Sequence, residues 1–127
     1  MTELVIRTKK EQVAFRPGDV IEGAVGWNSP EAVRSIELRL LWHTVGKGTE
    51  DKVIVDQKKF ENLESQGAAP FLFTAPEQPF SFSGKLISLV WDLEAVLRPG
   101  GVSASKRIVI APAGREIVLG DAAPLPE

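Results

Sequence analysis

The chain has 127 residues, room for one domain with a real core and too few for two of ordinary size. Its 25% charged and 43% hydrophobic residues suit a globular protein. With 15 basic against 17 acidic side chains and a net charge of −2, it lacks the basic field that a nucleic-acid partner requires.

The absence of cysteine excludes disulfides, thiolate chemistry, sulfur-ligated zinc and a blue-copper centre. No apolar run approaches the ~18 residues of a membrane span, so no integral membrane segment is expected. Met1 to Lys10 has no apolar signal core, which makes cytoplasmic the simplest location.

In chain order, the pattern predicts a short strand over Glu3 to Thr8, then a turn at Phe15-Arg16-Pro17-Gly18-Asp19. Proline and then glycine at its centre fit type II geometry. Ile21, Gly23, Val25 and Trp27 share one face of the next strand, which ends at Asn28-Ser29-Pro30-Glu31. From Val33 to Val45, Ile36, Leu38, Leu40 and Trp42 point one way and Glu37, Arg39 and His43 the other. A polar hairpin loop over Gly46 to Asp51 leads into Lys52 to Leu63, whose charges mark an edge or a solvent-facing strand.

Gly67 to Thr74 follows, with Phe71 and Phe73 on one face. Pro76-x-x-Pro79-Phe80-Ser81-Phe82-x-Gly84 then reads as a crossover between sheets. Beyond it, Ile87, Leu89, Trp91, Leu93, Ala95 and Leu97 line one side of the best-defined core strand. Arg98-Pro99-Gly100-Gly101 turns the chain into a strand over Val102 to Ala111. Residues 112–127 read as a tail, in which Arg115 to Leu119 adds a short edge strand before the chain frays. Seven to eight strands and no helix of ordinary length predict an all-β, immunoglobulin-like antiparallel sandwich over residues 1–111.

Phe15-x-Pro17-Gly18-Asp19-x-Ile21-x-Gly23-x-Val25, the strand with Ile36, Leu38 and Leu40, and Phe71-x-Phe73-x-x-Pro76-x-x-Pro79-x-Ser81-Phe82-x-Gly84 before Trp91 together resemble the N-terminal domain of the arrestin family. The resemblance runs from about Leu4 to Ile110. It implies a sandwich that binds other proteins. Arrestin relatives usually pair two such sandwiches, so the expectation is that the tail once led into a second domain or that single domains associate in pairs. The family's charged cluster and phosphate sensors have no counterpart here, and receptor or phosphopeptide binding does not carry over.

Side-chain chemistry is sparse. His43, the only histidine, reads as an exposed strand residue rather than a base or metal ligand, since no spacing fixes a second group beside it. Gly46-Lys47-Gly48-Thr49 departs from a phosphate-binding loop, with Leu41 where the first glycine belongs and Gly48 where Ser or Thr should follow the lysine. Asp92 and Glu94 lie roughly 7 Å apart on one strand face, a separation compatible with glycosidase carboxylates, but they read as a solvated pair. Phe80 and Phe82 plug the end of the sandwich in preference to forming a contact patch, and no serine sits in a nucleophile motif.

The expectation is therefore no catalytic, cofactor-binding or metal-binding residue. The chain reads as a non-enzymatic scaffold or interaction module that takes a protein partner or its own copy through edge strands and end loops. The alternative is a small-ligand or carbohydrate-binding sandwich with Trp27 or Trp42 exposed.

Overall fold

The computed structural model describes residues 2–46, 50–84, 86–113 and 117–118. Ten strands form there: β1 (Glu3–Thr8), β2 (Ala14–Phe15), β3 (Val20–Asn28), β4 (Val33–Gly46), β5 (Lys52–Leu63), β6 (Gln66–Thr74), β7 (Phe82–Ser83), β8 (Ile87–Arg98), β9 (Val102–Ile110) and β10 (Ile117–Val118). Three of the ten have only two residues, and the other seven match the strands expected from alternation. Among the described residues, the one helical element is a single 3-10 turn, Lys9–Glu11.

β1, β3 and β6 make a three-stranded antiparallel sheet. The second sheet runs β5-β4-β8. The far side of β8 is shared by β7 at Leu89 and Ser88 and by β9 from Trp91 to Leu97. β2 and β10 pair parallel with β9 and β7. Most of the expected tail lies outside the described residues.

Alternation decides what enters the space between the sheets. Ile21, Val25, Trp27, Phe71 and Phe73 from the small sheet meet Ile36, Leu38, Leu40, Trp91, Leu93 and Ile108 from the large one, all buried in one cluster. Trp91 is 0% exposed, and its Nε1 donates to the Pro79 carbonyl at 3.0 Å. The indole thus fills the core and ties down the crossover that the prolines introduce. Ser81 fastens the same segment to β9: its N–H donates to the Ile110 carbonyl at 2.7 Å and its Oγ accepts from the Ile110 N–H at 3.0 Å.

Local geometry follows residue type. Gly18 has φ +87°, and Asp19 N–H donates to the Arg16 carbonyl at 2.9 Å, as a type II turn requires. Gly23 lets β1 approach closely, because a Cβ there would collide with the Arg7 carbonyl oxygen. Two expectations shift. Ile87 is 37% exposed, since the core stops before it, and Trp42 is only partly buried against the core.

Candidate functional site

The outward face of the large sheet carries the polar residues that alternation turns away from the core. Asp92 stands opposite Leu41 in the β4–β8 ladder, one step from His43, and Glu94 stands opposite Arg39. Asp92 and His43 thus meet diagonally, and Glu94 and Arg39 face each other directly. His43 Nε2 lies 2.8 Å from Asp92 Oδ2, and Arg107 Nε donates to Asp92 Oδ1 at 2.7 Å. Beside them, Arg39 Nη1 donates to Glu94 Oε1 at 3.3 Å and Arg39 Nη2 to Glu37 Oε2 at 2.7 Å, while Lys52 Nζ approaches Glu94 Oε2 at 3.5 Å.

The hydrogen bond from Arg39 holds the Glu37 carboxyl below the usual carboxylate range, and Glu37 in turn raises the Arg39 guanidinium. Leu41 forms the floor of a depression of about 460 Å³ whose rim includes His43, Asp51, Lys52, Asp92 and Glu94.

His43 is therefore not the solitary exposed histidine expected from its position. Its side chain is 27% exposed and has an oriented carboxylate partner. The ladder offset that brings Asp92 to it cannot be read from spacing along the chain. What the pair lacks is a third member: no hydroxyl among the described residues bonds to His43, and Thr44 Oγ1 instead accepts from the Asp51 N–H at 2.9 Å. Asp92 and Glu94 do share a face, but each is engaged by two basic side chains and neither stands apart as a proton donor. Among the described residues no three His, Asp or Glu gather as a metal site. This lattice braces β4, β5, β8 and β9.

The indoles named for ligand binding are mostly covered, although Trp27 still lines a depression beside β1. Trp27 is 7% exposed with Nε1 donating to the Glu64 carbonyl at 2.9 Å, and Trp42 packs on the core. Residues 47–49 of the glycine-rich loop lie outside the described residues.

The free strand edges remain. β5 pairs only with β4, β1 and β6 each pair only with β3, and β9 meets β2 only at Val109 and Ile110, so each sheet ends in main-chain donors and acceptors with no strand partner among the described residues. On β5, Val53, Ile54 and Val55 are 40%, 45% and 42% exposed, and the register slips there, leaving Val55 as a bulge between Ile54 and Asp56. β1 has no such irregularity. Its outward residues Glu3, Val5 and Arg7 continue across the small sheet into Asn28 and Gln66, Gly26 and Ala68, and Ala24 and Pro70. Leu4, Val5, Gly26, Trp27, Gly67 and Ala68 line a depression of about 560 Å³ along that side.

No family model and no curated protein matches the chain. Among solved structures it is similar to Spo0M, a sporulation control protein from Bacillus subtilis, with 20% identity and a TM-score of 0.59. The match covers 87% of this chain and 48% of Spo0M, so the chain spans about half the length of that relative. At this identity the likeness concerns the fold, an antiparallel β-sandwich of arrestin-like type. No helix among the described residues is long and apolar enough to cross a membrane.

Proposed function

We propose that the chain is a non-enzymatic, cytoplasmic interaction module of the arrestin family, which joins a protein partner or a second copy of itself through its free sheet edges. The carrying observation is the contrast between those edges and the polar face. Unpaired strand backbones lie beside exposed Val5 on β1 and Val53, Ile54 and Val55 on β5, whereas the basic and acidic side chains that chemistry would need are engaged with one another. An incoming strand would satisfy the backbone groups, and alternate side chains would set its selectivity. Loops such as the one between β4 and β5 would add side-chain selectivity.

The test is retention of proteins from a cell lysate by the immobilised wild-type chain, compared with Val5→Pro and Ile54→Pro variants that still melt cooperatively. Proline on an edge removes a main-chain donor and blocks strand addition. Loss of a retained protein, or of self-association, in one folded edge variant is the expected result. Equal retention by all three, or none by the wild type together with a strict monomer, would remove the proposal.

A further inference from the structure

The free edges are not equivalent. β6, the other end of the small sheet, carries a proline in its middle, Pro70, which supplies no main-chain donor to an added strand. β5 carries the devices that keep an edge from pairing: a bulge at Val55, and five charges in twelve residues at Lys52, Asp56, Lys58, Lys59 and Glu61. β1 carries neither bulge nor proline, and pairs with β3 in unbroken register from Glu3↔Asn28 to Thr8↔Gly23. Its sequence, Glu3-Leu4-Val5-Ile6-Arg7, is also complementary to itself when reversed.

We infer that β1 is a homodimerisation edge, at which a second copy of this chain adds its own β1 antiparallel about a two-fold axis through Val5. This rests on the edge-binding reading above and names the occupant. In that register Glu3 faces Arg7 of the second copy and Arg7 faces its Glu3, Leu4 and Ile6 face each other twice, and the two Val5 side chains meet on the axis. Val5 is 44% exposed, so its apolar surface gains cover.

Moving the axis to Leu4 or Ile6 puts Val5 opposite Glu3 or Arg7 and loses the match. The pairing satisfies the outward main-chain groups whichever alternate residues carry them, because facing residues have the same parity. It joins two three-stranded sheets into one of six and leaves no open edge on that side. Arg7 is available for it: its contact with Glu11 is 3.7 Å long, and the two side chains are 72% and 77% exposed.

Sedimentation velocity of the full chain, from low micromolar to near-millimolar concentration, tests the inference. The wild type is expected to pass from monomer to dimer. Glu3→Arg and Arg7→Glu each replace two attractive pairs by repulsive ones and should weaken the dimer by about tenfold or more. The double variant Glu3→Arg/Arg7→Glu restores opposite charges and should return to within about twofold of wild type. Val5→Lys, which sets two lysines on the axis, gives a second disruption at an exposed site.

A dimer indifferent to the single reversals, or one not restored by the double, would overturn the inference. So would a wild type that stays monomeric. If that monomer still retains a protein that folded Val5→Pro or Ile54→Pro loses, the edge-binding function stands and only the homodimer falls.

Discussion

Trp91 does two jobs with one side chain. Its ring lies fully buried between the sheets, and its Nε1 reaches the Pro79 carbonyl in the segment that carries the chain from β6 to β7. Truncation to alanine removes the packing and leaves that carbonyl without its donor. Trp91→Ala is expected to cost ~3–5 kcal/mol and leave the domain mostly unfolded, measurable by urea titration. An unchanged midpoint would mean that the indole is not in the core. Ser81 has a similar fastening role at smaller scale, since its hydroxyl oxygen and its N–H both engage the end of β9.

Among the elements, strand existence and facing follow from alternation because each sheet has one dry side. β1 and β5 occupy the expected residues, Glu3–Thr8 and Lys52–Leu63, and the face with Trp91 and Leu93 is buried as its spacing implies. Registry is what one strand alone cannot disclose. The approach of Asp92 to His43 depends on how β4 slides against β8, and the bulge at Val55 depends on the pairing of β5.

The same lattice gives a pH dependence. The folded-state pKa of Glu37 lies below its unfolded value because Arg39 donates to the carboxylate. Its contribution is therefore fully present above the unfolded carboxylate range, near pH 4.5, and is lost as pH falls through the folded value. Glu37→Gln should flatten the acid limb of the melting-temperature profile on the acid side of the ordinary carboxylate value of 4.5. A profile identical to wild type would place the acid sensitivity at another carboxylate.

At the level of the whole molecule, a closed dry core coexists with open sheet ends among the described residues: β5 is guarded by charges and a bulge, β6 carries Pro70, and β1 is regular. The arrestin-like architecture was readable from order and spacing along the chain. The difference between the edges was not, since it arises from which strands are left at the ends of each sheet. An exposed strand edge is a ready template for an added strand.

Residue-resolved amide hydrogen exchange, recorded at low and high protein concentration, tests this most directly. The expected result is that alternate amides of β1, those turned away from β3, exchange quickly in dilute solution and slow as the concentration rises, with β5 and the rim around His43 unchanged. New protection confined to β5 or to the polar face, with β1 indifferent to concentration, would contradict it.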